Sequence, residues 1–170
     1  PNFPMAAHEQ LEVLNTNPWI DYYVMKEAEA AFAALVAALM APNQDRTKIG
    51  ETVPNLAYLG PNGELCASRE AQRLPTLSDI PSPYQSGRLD EFLDGRLLPV
   101  IQTARGCPFS CAFCTEGQLY WNKVRHKTQD LIAGEVSYIA ARMAALPEDQ
   151  RRTDLLIADS NFAMFPQDID

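Results

Sequence analysis

The chain has 170 residues and a mass of 18.9 kDa, room for one ordinary domain or for parts of two. Its 46% hydrophobic and 21% charged residues suit a packed interior and argue against chain-wide disorder. Fourteen basic against twenty-two acidic residues leave a net charge of −8, which argues against a surface built to coat nucleic acid, and no apolar run reaches the ~20 residues of a membrane span; the opening residues do not read as a basic leader followed by an apolar stretch.

Residues 1–20 carry prolines at positions 1, 4 and 18, with a short helix expected around Ala6–Leu14. Residues 21–41 read as a helix whose apolar stripe is Phe32, Leu35, Val36, Leu39 and Met40, with Glu27 and Glu29 near its start and Pro42 ending it. Its many alanines permit close packing against a sheet. Residues 55–67 predict a hairpin around the turn Gly60-Pro61-Asn62-Gly63. Cys66 falls in its second strand and reads as a small buried hydrophobe, with metal ligation the alternative.

Residues 74–98 hold three prolines within LPTLSDIPSPY and predict an extended connector with one short helical turn in LDEFLDGRLLP, a candidate domain boundary. A strand is expected at 99–104 (PVIQTA). A helix follows at 128–145, capped by Thr128, with Asp130 in its first turn and a buried face of Leu131, Ile132, Val136, Ile139, Ala140 and Met143. The apolar run at 155–159 (LLIAD) reads as a strand inside a parallel sheet, so strand, loop, helix and strand make a βαβ unit. A parallel sheet needs further βα units, so additional sequence is expected on both sides of this chain; a small α+β protein with ragged ends is the alternative.

Between the strand at 99–104 and the second helix lies RGCPFSCAFC, residues 105–114. Cys107, Cys111 and Cys114 have the spacing C-x3-C-x2-C. Such a cluster, on a chain with four cysteines in all, reads as metal ligation in a reducing compartment, hence the cytoplasm, rather than as a disulfide scaffold. Thiolates favour iron–sulfur clusters or zinc. Electron-transfer [4Fe-4S] clusters normally use four cysteines, and here the fourth is far upstream. The simplest reading is a cubane with one iron left open to a ligand with nitrogen and oxygen donors. Phe109 and Phe113 would shield the cluster, and the loop follows a strand, where α/β folds build their sites. Structural zinc and three free cysteines are the alternatives.

The motif TARGCPFSCAFC, followed by VRHKTQDLIAGEV and a strand ending ADSNF, resembles the radical SAM enzymes. It is especially similar to the group whose catalytic barrel follows a cobalamin (B12)-binding-type domain. The resemblance covers essentially the whole chain. It implies an α/β fold: residues 1–50 as the C-terminal tail of a Rossmann-like cobalamin-binding-type domain, 51–98 as hairpin and proline-rich connector, and 99–170 as the first βα units of a partial (β/α)6 barrel. Cys107, Cys111 and Cys114 would bind three irons of a [4Fe-4S] cluster, and S-adenosylmethionine (SAM) would chelate the fourth. Reductive cleavage would give methionine and a 5'-deoxyadenosyl radical. Phe113, Asp159 and Asn161 are the implied cofactor-binding residues. A reductant such as flavodoxin or ferredoxin and an unidentified small-molecule substrate are the implied partners, and cobalamin is a further cofactor of the full-length protein. Neither His8 nor His126 fits the group's cobalt-ligating DxHxxG. KEAE at 26–29 stands where the group commonly has a glycine-rich GEGE-like segment, which removes the expectation of a glycine turn there.

Arg105 is expected to tune the cluster or hold the loop; Glu135 reads as a residue on a solvated helix face, and the resemblance implies the alternative, a glutamate with a structural role in this helix. Lys123, Arg125, His126 and Lys127 form a basic patch beside Tyr120 and Trp121, too small on an acidic chain to make a nucleic-acid surface.

Overall fold

The structure, a computed structural model, describes residues 4, 6–42, 45 and 48–166. The proline at position 1 lies outside these. The chain divides into two compact units, Pro1–Leu74 and Pro75–Asp170. The topology is mixed α/β, its sheets open and unclosed; no closed barrel forms among the described residues.

The first unit contains α1 (Ala7–Thr16), β1 (Tyr23–Val24), α2 (Glu29–Met40), α3 (Ile49–Thr52), β2 (Leu56–Leu59) and β3 (Leu65–Ala67). Its three strands form an antiparallel sheet in the order β1-β2-β3, with Tyr23 opposite Ala57 and Leu59 opposite Leu65. The turn at 60–63 closes with Gly63 at φ +79°, a value only glycine adopts freely. Residues 21–28 are not helical. The aromatic and β-branched run Tyr22-Tyr23-Val24 fits a pleated strand better than a helix, and Lys26, at φ +63°, turns the chain into α2. A tight turn therefore exists at 26–29 without a glycine.

The buried face of α2 also differs from expectation. Ala31 and Leu35 are buried, and Leu39 packs on the cluster of Leu35, Ile49, Val53 and Leu56. Phe32, Val36 and Met40 face outward, at 58%, 36% and 79% exposure. The helix carries one charged residue, Glu29, so its sequence is apolar all round and its period cannot select a face. Small Ala31 lets the helix approach its neighbours closely. Glu27, buried, holds Arg73 (Nε 2.9 Å) and the backbone N–H of Leu74 (3.1 Å), pinning the unit's last residues beside the start of α2. Cys66 is half-buried in β3 opposite Tyr58. Burial first, then the neighbouring thiol and Tyr22, raise the Tyr58 phenol above the ordinary tyrosine range.

The second unit contains β4 (Val100–Ile101), β5 (Ala104–Arg105), β6 (Arg125–His126), α4 (Gln129–Ala144) and β7 (Leu156–Ile157). β4 and β7 pair in parallel, Val100 opposite Leu156 and Ile101 opposite Ile157, with α4 in the crossover. One face of this pair packs inward: Ile101 belongs to a core with Tyr84, Leu93, Ile139 and Met143, and Ile157 rests on it. The other face is open, with Val100 at 44% and Leu156 at 50% exposure. The strand expected at 155–159 is thus only Leu156–Ile157, and it is covered on one side only.

Residues 75–98 contain the short helical turn expected in LDEFLDGRLLP, at Asp90–Phe92, but the rest is not an extended connector. They fold as short 3-10 turns, at Leu77–Asp79 and Asp90–Phe92, and drive Leu77, Tyr84 and Leu93 into the interior. Each such side chain is worth about 1.5–3 kcal/mol on full burial. The Tyr84 hydroxyl donates to Val100 O (2.7 Å) and accepts from Val100 N–H (3.0 Å), clipping this segment to β4. Tyr138 of α4 donates to Asp90 (2.7 Å), and that carboxylate raises the Tyr138 phenol above its usual range. Thr128 is the N-cap of α4, but its side chain makes no capping bond; its backbone N–H donates instead to Ser78 Oγ (2.9 Å).

Candidate metal centre

The strand expected at 99–104 breaks in two at Gln102-Thr103, and the break creates the base of the cysteine loop. Thr103, almost fully buried, turns its polar groups away from a sheet ladder. Its N–H donates to Asp159 Oδ1 (2.8 Å), its hydroxyl donates to Asp159 Oδ2, and its carbonyl accepts from Lys127 N–H (2.8 Å). Ala104 N–H also donates to Asp159 (3.1 Å). Beyond this knot the chain enters β5, which pairs antiparallel with β6, Ala104 opposite His126 and Arg105 opposite Arg125. The two strands are the stem of a loop spanning residues 106–124.

Gly106 opens the loop at φ +110°, and an added Cβ there would lie 2.7 Å from Trp121 O and 3.0 Å from Lys123 O. The glycine therefore serves two needs, a left-handed backbone and close approach of the returning chain. Just beyond it, Cys107 N–H donates to Trp121 O (2.9 Å). Cys114 N–H donates to Cys111 O (3.1 Å) and Gly117 N–H to Cys114 O (3.1 Å), curling the chain into a 3-10 turn at Thr115–Gly117. A Cβ on Gly117 would lie 2.5 Å from Cys111 O. All three cysteines are free thiols; Cys107 is half-buried, Cys111 and Cys114 exposed.

The donor set suits a soft metal centre: three thiols on one loop, none in a disulfide. Among the described residues, no three His, Cys, Asp or Glu side chains converge on a point where they could hold a metal ion. Phe109 and Phe113, expected as a shield, stand at 55% and 93% exposure.

The other nominated residues divide. Asp159 has both carboxylate oxygens on the stem. Asn161 is half-buried just past β7, and its neighbour Ser160 donates to Glu116 in the cysteine loop. Arg105 grips Gln102 Oε1 through Nε (3.2 Å) and a terminal nitrogen (2.8 Å), so it braces the stem. The basic patch does not act as a unit: Lys127 is drawn inward to Glu135, and His126 stacks edge-on against Phe165 at 5.5 Å.

Glu135 takes the structural alternative and not the solvated face. It is 1% exposed rather than solvated, and Lys127 Nζ donates to both of its oxygens (3.0 and 2.8 Å). The signal was in the helix period. Position 135 lies three residues after Ile132 and four before Ile139, inside the apolar stripe of α4. A carboxylate in that stripe must be paired.

No protein-family model matches the chain. It is 30% identical over 160 residues, 91% of this chain and 22% of the relative, to a 2-(S-pantetheinyl)-carbapenam-3-carboxylate methyltransferase of Streptantibioticus cattleyicolor. A cobalamin-dependent radical SAM methyltransferase of Streptomyces tokunonensis is 29% identical over 160 residues, again 91% of this chain and 22% of the relative. An anaerobic magnesium-protoporphyrin IX monomethyl ester cyclase of Cereibacter sphaeroides is 30% identical over 131 residues, 74% of this chain and 20% of the relative. The chain spans about a fifth of the length of these relatives. These similarities support an origin in the radical SAM superfamily.

Proposed function

We propose that the chain is the central segment of a radical SAM enzyme whose N-terminal part is a cobalamin-binding-type domain. Residues 1–50 are then the tail of that Rossmann-like domain, 51–98 the hairpin and proline-containing bridge, and 99–170 the first βα units of a (β/α)6 barrel. The carrying observation is the C-x3-C-x2-C spacing of three disulfide-free cysteines on a loop that follows the parallel strand β4, through the antiparallel β5–β6 stem. Similarity to relatives of which the matched part is 22%, and the open apolar face at Val100 and Leu156, support reading it as part of a larger structure.

In this reading Cys107, Cys111 and Cys114 hold three irons of a [4Fe-4S] cluster, and SAM chelates the fourth. When bound, the cluster supplies one electron for reductive cleavage of the SAM sulfonium C–S bond. The chain's own residues hold and orient. Phe113, exposed on the loop, would flank the adenine; Asn161, just past β7, would contact the cofactor; Asp159 would serve the same site by fixing Thr103 and Ala104. A flavodoxin or ferredoxin supplies the electron, the substrate is a small molecule, cobalamin binds upstream in the full-length protein, and the enzyme works in the cytoplasm.

The test is Cys66→Ala. Iron and sulfide content equal to wild type after anaerobic reconstitution is expected, because the fourth iron is left for SAM. Loss of metal from that variant would favour a non-enzymatic iron–sulfur or zinc module with Cys66 as fourth ligand, and would overturn the proposal. The 170-residue chain alone should release little 5'-deoxyadenosine from SAM and dithionite, whereas the full-length enzyme should release it.

A further inference from the structure

Of the residues that anchor the cysteine loop, Asp159, Lys127 and Glu135 are charged, and the last two form a buried ion pair. Lys127 and Glu135 side chains are 13% and 1% exposed. The pair joins α4 to the residue at which the loop has just rejoined the fold, since Lys127 follows β6 directly. A buried ion pair is a poor device for stability alone: apolar residues of similar volume often do as well or better, while removing one partner is strongly destabilising. What such a pair does supply is direction. Lys127 must extend toward Glu135, and its N–H must meet Thr103 O (2.8 Å), so both its side chain and its backbone are constrained. Four residues are thereby linked in series: Asp159 after β7, Thr103 at the strand break, Lys127 after β6, and Glu135 on α4.

We propose that Lys127 and Glu135 are positioning residues for the cysteine loop. They set where β6 lies against β5, and through the Cys107–Trp121 backbone bond they set how Cys107 faces the Cys111–Cys114 turn. This rests on reading the three cysteines as cluster ligands, but its first readout, the metal-free loop, does not need a cluster.

The test uses three variants of the chain. Glu135→Gln keeps the shape and leaves Lys127 without its anion. Lys127→Arg keeps the pair. The double change Lys127→Met with Glu135→Leu removes both charges, so it remains informative if the single glutamine variant does not fold. Each is checked for helical circular dichroism. The alkylation rate of Cys107 in metal-free protein is then measured by mass spectrometry, and the electron paramagnetic resonance spectrum of the reduced, reconstituted protein is recorded. We expect Lys127→Arg to match wild type in both. Glu135→Gln and the double variant, with helicity retained, should expose Cys107 about tenfold or more to alkylation and broaden or shift the cluster spectrum. A folded double variant with wild-type alkylation and a wild-type spectrum would overturn the proposal. Wild-type protein that takes up no iron or sulfide would count against the cluster reading alone, because the alkylation rates still decide the positioning role.

Discussion

The carboxylate of Asp159 gathers the backbone N–H groups of Thr103 (2.8 Å) and Ala104 (3.1 Å), joining the end of one parallel strand to the break in the other. It is the first fixed point below the cysteine loop. Asp159→Ala leaves three donors without their acceptor, the two N–H groups and the Thr103 hydroxyl; the hydroxyl can rotate to another partner, and each of the two fixed N–H losses costs about 1–3 kcal/mol. A drop of about 2–4 kcal/mol in urea-unfolding stability is therefore expected, with Asp159→Asn losing less because an amide oxygen still accepts. A Asp159→Ala variant within about 0.5 kcal/mol of wild type would mean these bonds do not hold the stem.

Gly106 and Gly63 both have positive φ, but only one is crowded. A methyl at Gly106 would press on Trp121 O and Lys123 O, whereas one at Gly63 meets nothing within 4 Å. Gly63→Ala should cost about 1 kcal/mol, the left-handed backbone alone. Gly106→Ala should cost more than twice that and should raise protease cleavage within 106–124. Equal losses for the two variants would show that the loop does not return against Gly106.

Lys26 carries a left-handed backbone that costs a non-glycine residue about 1–2 kcal/mol. Glycine would relieve this, but it gains unfolded-state freedom worth about 0.4–1 kcal/mol and loses the ion pair with the largely exposed Glu70, worth at most about 1 kcal/mol. Lys26→Gly should thus come out near neutral in denaturant unfolding. Lys26→Ile, β-branched and unable to sit comfortably at φ +63°, should lose about 1–2 kcal/mol or more. A strongly destabilised glycine variant would show that the Lys26–Glu70 contact matters more than its exposure suggests.

What could be read beforehand follows from how local the information is. The turn at Gly60–Gly63 and the strands beside it are specified by adjacent residues, and they fold as written. The span of α4 was legible from its stripe and from the residues at its start. The buried face of α2 was not, because a helix with one charged residue has no polar side to orient it. Residues 75–98 look extended by proline content, yet Leu77, Tyr84 and Leu93 recur at spacings a packed turn segment can bury. The spacing of the cysteines was plain from sequence; the knot of Asp159, Thr103, Lys127 and Glu135 beneath them was not. Its members are far apart along the chain, and each alone reads as an ordinary surface or capping residue.

The central claim is that Cys107, Cys111 and Cys114 hold an iron–sulfur cluster. The most direct measurement is iron and acid-labile sulfide per chain after anaerobic reconstitution, for wild type and for each cysteine changed to alanine. About four iron and four sulfide are expected for wild type and for Cys66→Ala, with loss of the cluster on replacing any one of Cys107, Cys111 or Cys114. Stoichiometric zinc without inorganic sulfide in anaerobically purified protein, or a full cluster in any of those three variants, would contradict the account.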